Sequence, residues 1–295
     1  MKRTLPLICT LIVGILALLI VNLLIGSVRI PMTEVCRILL GAESNEIWTN
    51  IVFSSRLPQA LTAIMAGAGL AVSGLQMQTV FRNPLAGPSV LGISNGSALG
   101  VAFVVLLSGR IGGVALSRLG YLGDAAMSVA AIVGALAVMS LILWVSQKVR
   151  DNVTLLIIGV MIGYLANAII GVLKFLSPEE DVKAFVVWGL GSFSRVSGDE
   201  MVLSGVLVAI VTAYCGPIMF IGLAVPHLAR AIFRTSDHRV LMPATALCGA
   251  VLALFCNLIA RMPGFEGALP VNSVTALIGA PVIAAVLFRK SALRH

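Results

Sequence analysis

The residue types that usually carry covalent or metal chemistry are scarce in this chain of 295 residues, and they do not cluster. None of the five cysteines stands in a CxxC pair or at a ligand spacing from a histidine. No nucleophile–base arrangement is recognisable either. The sequence therefore predicts no catalytic residue, no metal site and no cofactor. It also lacks a GxxxxGK[ST] loop, so any ATP would have to be bound by another chain.

Two apolar segments that are interrupted by proline are the most informative features of the sequence. In the first, Pro84 and Pro88 bracket the residues Leu-Ala-Gly; the second is GPIMFIGLAVPHLAR, residues 216–230. Such breaks leave backbone groups unpaired, which is tolerated at membrane depth only where protein buries them or water reaches them. Broken helices at corresponding places in two halves are typical of a transport path. We therefore expect an internal duplication.

The composition indicates that the elements carrying these breaks lie in a lipid bilayer. Hydrophobic residues make up 59% of the chain and charged residues 11%, against about 45–50% and about 25% in ordinary soluble proteins. The mean hydropathy is +1.07. Since even a large globule buries only about 75% of its surface, these values exclude a soluble enzyme, a nucleic-acid binder and a disordered tail protein. The net charge of +8 does not indicate nucleic-acid binding here. In a membrane protein, the positions of Lys and Arg indicate which loops lie on the cytoplasmic side.

Nine apolar runs are candidates for membrane spans, and all are expected to be α-helical because a bilayer requires internally paired backbones. The first run exceeds a secretory h-region and is interpreted as a retained span. The run 218–233 is short and could be a broken or tilted helix. The runs are 5–25, 57–80, 89–108, 125–146, 153–176, 202–217, 218–233, 240–260 and 271–288. Small residues at helical spacing predict close helix packing; they are Ala63, Gly67, Ala71, Gly92, Gly96, Gly100, Gly159 and Gly163.

The charge pattern conflicts with nine crossings. Both ends of the chain are basic, so the positive-inside rule places both in the cytoplasm, which requires an even number of crossings. If one crossing is lost around residues 190–201, the inner side carries 11 Lys and Arg with 2 acids, and the outer side 9 with 10. We therefore expect a missing crossing. The predicted organisation is a first span with an outer connection (1–55), a first half-repeat (56–176), an outer connection that has lost a span (177–201) and a second half-repeat (202–295).

At this point the chain resembles the FecCD-type permeases, the membrane subunits of ABC importers for iron-siderophores, haem and vitamin B12. The motifs that carry the resemblance are RLPQ and GLQMQTVFRNPLAGPSVLGISNG within 56–96, GPIMFIGLAVPHLAR (216–230), DHRVLMPATALCGA (237–250) and LPVNSVTALIGAP (269–281). The resemblance implies an all-α polytopic bundle of about ten spans in two inverted halves. It further implies a second permease subunit (an identical chain or a paralogue), two cytoplasmic ATPases and a periplasmic binding protein.

The resemblance also implies roles for individual residues. Arg56 and Arg261 match outer-surface arginines that dock acidic knobs of the binding protein, and Gln59 stands where a further arginine is common. Asn83, Pro84 and Leu85 match the inner gate. The spans near 153–176 and 271–288 match helices that line the path. The second broken-helix motif comprises Gly216, Pro217, Gly222, Pro226, His227 and Arg230.

Three departures from the family pattern stand out. Asn257 occupies a position where the family usually has Asp, and Phe265–Ala268 replaces a shorter lead-in to Leu269. The third departure is larger, because the family has a further span and a cytoplasmic ATPase-coupling segment where this chain has only Phe193 to Cys215. The apparent deletion, at about residues 193–203, coincides with the crossing that the charges demand.

Simpler interpretations compete at several residues. Arg56 and Lys174 could extend their charged groups to the membrane interface, His227 could serve a neighbouring backbone group, and Glu179–Asp181 is expected to be a solvated outer loop. Two classes of function remain: an ATP-driven importer subunit in a bacterial inner membrane, or an ion-coupled carrier or channel without an ATPase. The second is disfavoured because no predicted span centre carries an ionisable pair.

Overall fold

The computed structural model describes residues 4–26, 28–42, 44–87, 89–111, 121–149, 151–192, 218, 220–262 and 269–292. The secondary structure in these residues is entirely helical. The helices are α1 (Thr4–Leu24), α2 (Met32–Leu39), α3 (Glu46–Ile51), α4 (Leu57–Val80), α5 (Ile93–Ile111), α6 (Tyr121–Ser146), α7 (Asn152–Leu176), α8 (Glu179–Gly189), α9 (Ile221–Phe233), α10 (His238–Ala260) and α11 (Val271–Ala292). A π-helical segment, Val52–Arg56, joins α3 to α4.

The helices confirm the predicted all-α membrane architecture. Among the described residues, α1, the continuous segment Glu46–Val80, α6, α7 and α10 are long and apolar enough to cross a membrane. The 13 residues of α9 would extend about 20 Å, less than a hydrocarbon core of about 30 Å. A short or broken helix was the expectation for 218–233, and α9 agrees with it. The predicted span 202–217 and the apparent deletion at 193–203 lie outside the described residues.

The described chain forms two compact units. The first contains residues 4–75 and 218–292, and the second contains residues 76–191. This division does not follow the predicted half-repeats 56–176 and 202–295, which stay a prediction.

In the first unit, the outer ends of α1 and α10 are joined by a buried pair of asparagines. Asn22 Nδ2 donates to Leu254 O (3.2 Å), and Asn257 Nδ2 donates to Asn22 Oδ1 (2.9 Å). The C-terminal turns of two full-length spans therefore lie side by side, so α1 and α10 run in the same direction. Leu269 N donates to Ala260 O (2.8 Å), which starts α11 at this same end. Because α11 runs back from there, the start of α1 and the end of α11 lie on one side of the unit, which agrees with the placement of both basic termini in one compartment.

Glycines allow the spans of the first unit to touch backbone to backbone. A Cβ on Gly67 would lie 2.3 Å from Gly249 O, and a Cβ on Gly249 would lie 2.2 Å from Gly67 O. In lipid there is no hydrophobic effect between helices, so they associate through the van der Waals contacts that such close approach provides. The packing role predicted for Gly67 is confirmed.

The second unit uses the same device between α5, α6 and α7. A Cβ on Gly100 would lie 2.1 Å from Ala130 O. Gly92, at φ +75°, allows the start of α5 to approach α7, since its Cβ would lie 2.9 Å from Gly159 O. The predicted packing roles of these glycines are confirmed as well.

One expectation for the second unit is wrong. Residues 179–181 form the first turn of α8 instead of a loop, and Asp181 is only 3% exposed, whereas Glu179 and Glu180 are exposed as expected. The cause is the apolar face that follows, since Phe185 and Trp188 pack in one buried cluster with Val101 and Val105 of α5. Burying these two aromatic rings holds the acidic turn against the protein.

Candidate functional site

Arg56 is a buried residue that caps the end of α1. Its side chain is 1% exposed, and Nη1 donates to Leu23 O (2.6 Å) and Leu24 O (3.0 Å), while Nη2 donates to Val28 O. The last carbonyls of a helix have no intrahelical partner, and a cation is favoured at that end of the dipole. Neither the expected surface position nor extension of the guanidinium to the membrane interface describes Arg56 within this chain.

Arg261 lies beside Arg56, at the C-terminal end of α10. A Cβ on Gly26 would lie 3.1 Å from Arg56 Nη2 and 3.2 Å from Arg261 Nη2, so both guanidinium groups rest on this glycine. Arg261 is half-buried, and its Nη1 is buried without an acceptor. Burial, and then the charge of Arg56, lower the pKa of Arg261 to about 10. The group stays protonated at neutral pH, and no acid among the described residues forms an ion pair with it.

Gln59 is the third residue of the predicted docking set. It is buried, its Nε2 donates to Ser55 Oγ (3.0 Å), and its Oε1 has no hydrogen-bond partner. Arg56 and Gln59 lie three residues apart at the start of α4, and the structure brings Arg56 together with Arg261. Of the three, only Arg261 is more than marginally exposed.

The first proline break is a structured turn between α4 and α5. Asn83 Oδ1 accepts from Leu85 N (2.9 Å) and Asn83 O accepts from Ala86 N (3.1 Å), while Asn152 Nδ2 donates to Val80 O (3.2 Å). The side chain of Asn83 thus forms an Asx turn that holds the break. Leu85 is 46% exposed, and Pro84 is exposed beside it. An exposed apolar side chain on a turn fixed by its own hydrogen bonds fits a gate residue.

The second break begins at a strained residue. Phe220 immediately precedes α9 and has φ +70° and ψ −33°, which is rare for a bulky side chain. Its Cβ would lie 2.8 Å from a Cβ on Gly279 of α11. Pro226 lies inside α9 and has no N–H, so it cannot donate to the carbonyl of Gly222. That carbonyl faces Gly74, where an added Cβ would lie 1.7 Å from the oxygen.

The remaining residues of the predicted broken-helix motif divide in two groups. Gly222, Pro226 and His227 are buried in the first unit, and Arg230 is half-buried one turn further along α9. Gly216 and Pro217 lie outside the described residues.

Several residues of these sites were not predicted from the sequence. Gly26 and Asn22 bring α1 to Arg56 and Asn257, but a lone glycine and asparagine at a span end carry no recognisable signal. Phe220 lies within the motif 216–230, but no role was predicted for it, because its positive φ is a property of the folded backbone. The π-helical segment that ends at Arg56 is equally invisible in sequence, although such segments are frequent at functional sites.

Comparison with known proteins identifies the family. The model of the FecCD transport family matches residues 14–204 and 200–289. The chain belongs to the FecCD transport family. It is 31% identical to the hemin transport system permease protein HmuU of Yersinia pestis, over 95% of this chain and 96% of that protein. It is 30% identical to the vitamin B12 import system permease protein BtuC of Salmonella typhimurium, over 81% and 84%.

A solved structure shares the fold. It is described as an inward-facing conformation of a "putative metal-chelate type ABC transporter". It matches with a TM-score of 0.79 and 25% sequence identity, over 96% of this chain and 98% of that one. The chain is thus a FecCD permease with the fold of an ABC-transporter membrane subunit.

The alignments also bear on the apparent deletion. The match to HmuU spans 328 positions, whereas 95% of the 295 residues is about 280, so about 48 positions have no residue in this FecCD chain. The two stretches of the family match meet at residues 200–204. Both observations agree with a missing internal segment near 193–203.

Proposed function

We propose that this chain is the permease subunit of a binding-protein-dependent ABC importer in a bacterial inner membrane. Its cargo would be an iron-siderophore, haem or a cobalamin-like molecule, and ATP would be hydrolysed by two separate cytoplasmic subunits. A second permease subunit, identical or paralogous, would complete the passage. The observation that carries the proposal is the family match along residues 14–289, which includes both proline breaks.

The described geometry supports a passage that another protein drives. Transport that is coupled to ions generally uses ionisable residues inside the spans. Arg37 and Glu34 form an ion pair within the short helix α2, outside the long apolar helices, and no group of three or more potential metal ligands occurs among the described residues. Together with the missing phosphate-binding loop, this favours an external motor.

The outer arginine pair supports docking of a binding protein. We propose that an acidic side chain of that protein binds Arg261, which is half-buried and forms no ion pair with an acid among the described residues. Arg56 cannot make this contact while its Nη1 and Nη2 are held by α1 carbonyls. Its role in docking is therefore to hold the end of α1 and to add positive charge behind Arg261. Gln59, buried and neutral, contributes no charge to this contact.

At the other side of the membrane, we propose that Asn83, Pro84 and Leu85 form the inner gate. The hydrogen bonds of Asn83 keep Leu85 in a fixed, exposed position. The second break, from Phe220 to Pro226, would allow α9 to move relative to α4, which it approaches at Gly74 through the backbone of Gly222.

The test is reconstitution. The chain is co-expressed with the ATPase and binding protein of its host, purified, and placed in proteoliposomes with radiolabelled haem, cobalamin or a ferric siderophore. We expect the ATPase to co-purify and uptake to require ATP and the binding protein. Uptake that a proton or sodium gradient drives without an ATPase would instead establish the ion-coupled carrier.

A further inference from the structure

An apolar pocket adjoins the arginine pair at the outer end of the first unit. Its volume is about 540 Å³. Among the described residues it is lined by Leu24, Ile25, Arg29, Ile30, Met32 and Met262. The pocket and the arginines share their backbone, because Ile25 precedes Gly26, on which both guanidinium groups rest, and Met262 follows Arg261.

The position of this pocket indicates that it opens to the aqueous side. Between α1 and α2, residues 25, 26 and 28–31 are not helical, and irregular backbone is not exposed to hydrocarbon. Arg29 in the lining is exposed. A lipid tail is therefore a poor occupant, and a group that approaches from the periplasm is a good one.

The chemistry of the lining defines what would fit. Met32 and Met262 are 58% and 47% exposed, and methionines adapt to irregular apolar partners. Beside them stand three arginines, at 29, 56 and 261, and neither Arg29, Arg56 nor Arg261 forms an ion pair with an acid among the described residues. An apolar pocket bordered by unbalanced positive charge complements an apolar side chain next to a carboxylate.

We propose that the docking site for the binding protein has two parts: Arg261 binds a carboxylate, and the pocket of Met32 and Met262 receives a large apolar side chain adjacent to it. This inference rests on the proposed function and specifies the partner's docking segment. The apolar anchor supplies the affinity that an ion pair in water lacks, and the arginine selects the register.

The experiment measures binding of the purified binding protein to the permease in nanodiscs. The double variant Met32→Ser/Met262→Ser should weaken affinity about 10-fold or more, whereas the matched variant Leu40→Ser, at an 85% exposed leucine outside the pocket, should leave it unchanged. Basal assembly with the ATPase reports that each variant is folded. Unchanged affinity of the double variant, with weakened binding by Arg261→Gln, overturns the apolar part and leaves the proposed function intact. A wild-type permease that binds no binding protein contradicts the proposed function itself.

A second measurement identifies the occupant. A photo-cross-linking benzoylphenylalanine replaces Met262, and the cross-linked peptide is mapped by mass spectrometry. The expected product is a segment of the binding protein with an acidic residue beside a large apolar one. A cross-link to lipid or to this chain itself, in the presence of the binding protein, overturns the proposal.

Discussion

Arg56 and Arg261 share one glycine but have different surroundings, so their substitutions should have different consequences. Arg56 donates to two carbonyls at the end of α1 and to Val28 O just beyond it. Arg56 Nε and Arg261 Nη1 are both buried without an acceptor, but Arg261 is half-buried whereas Arg56 is 1% exposed. A residue that is already committed within its own chain stabilises the fold. One that is left unbalanced is available to a partner.

We expect Arg56→Ala to destabilise the protein by about 3 kcal/mol, because each hydrogen bond to a charged group contributes roughly 1.5–3 kcal/mol and buried carbonyls would be left unpaired. Arg261→Gln should change stability little and weaken the affinity for the binding protein about 10-fold. Thermal unfolding in detergent and binding in nanodiscs measure the two effects. Arg37→Gln, at an exposed arginine on α2, is the control. A larger stability loss with Arg261→Gln than with Arg56→Ala would reverse the assignment.

At the scale of elements, the helices of this protein meet through glycine backbones. The contact of α4 with α9 depends on Gly74, because the Gly222 carbonyl that Pro226 leaves unpaired occupies the space of a side chain. The first turn of α7 depends on Asp151, which accepts hydrogen bonds from Thr154 N (2.9 Å) and Thr154 Oγ1 (2.8 Å).

Gly74→Ala should destabilise the first unit by about 1–3 kcal/mol, the usual cost of overpacking, and should reduce transport. The reason is that its Cβ would lie 1.7 Å from a backbone oxygen that cannot rotate away. Gly171→Ala in α7, with no atom within 4 Å of the added Cβ, is the matched control and should be neutral or stabilising. Comparable unfolding midpoints for the two variants would show that α4 and α9 do not pack this closely.

The stability of the protein should depend on pH through Asp151. The hydrogen bonds from Thr154 lower the pKa of this carboxyl below 3.8, so its stabilising contribution is present above about pH 4 and is lost as the pH falls through the lowered pKa. Asp151→Ala should therefore lower the unfolding midpoint at pH 7, and the difference from wild type should shrink near pH 3. Asp151→Asn keeps a capping oxygen and should lose less at pH 7. A difference that grows on acidification would contradict the sign.

At the scale of the whole molecule, the start of α1 and the end of α11 lie on one side of the first unit. Cys36, exposed on α2, should react with a membrane-impermeant maleimide from the periplasm. Ala292→Cys, at the end of α11, should react only after permeabilisation, in a background in which the other cysteines are replaced. Labelling of residue 292 in intact spheroplasts would overturn the topology.

The internal segment that this chain is predicted to lack should affect its coupling to ATP hydrolysis. The family resemblance implies that this segment carries the main coupling surface for the ATPase, so its loss would lower coupled ATP hydrolysis even where the subunits assemble. Grafting the corresponding segment of HmuU between residues 192 and 201 should increase cargo-stimulated ATP hydrolysis in proteoliposomes, while a scrambled insert of equal length should not. Equal rates with and without the graft would mean that coupling uses another surface.

The sequence by itself determined the membrane class, the positions of the long apolar helices and the two proline breaks, because hydropathy and proline chemistry are properties of short segments. The parity of crossings stays a prediction, since the predicted span 202–217 lies outside the described residues. It also placed Gly67, Gly92 and Gly159 in helix contacts, since small residues at helical spacing have few other uses in lipid. Only the tertiary structure decided that Arg56 is buried under α1 while Arg261 remains unbalanced, that α8 packs its acidic first turn against α5, and that a pocket opens beside Met262. These features depend on which span ends meet in space, and contacts between residues more than 200 positions apart, such as Asn22 with Asn257, leave no local pattern in the chain.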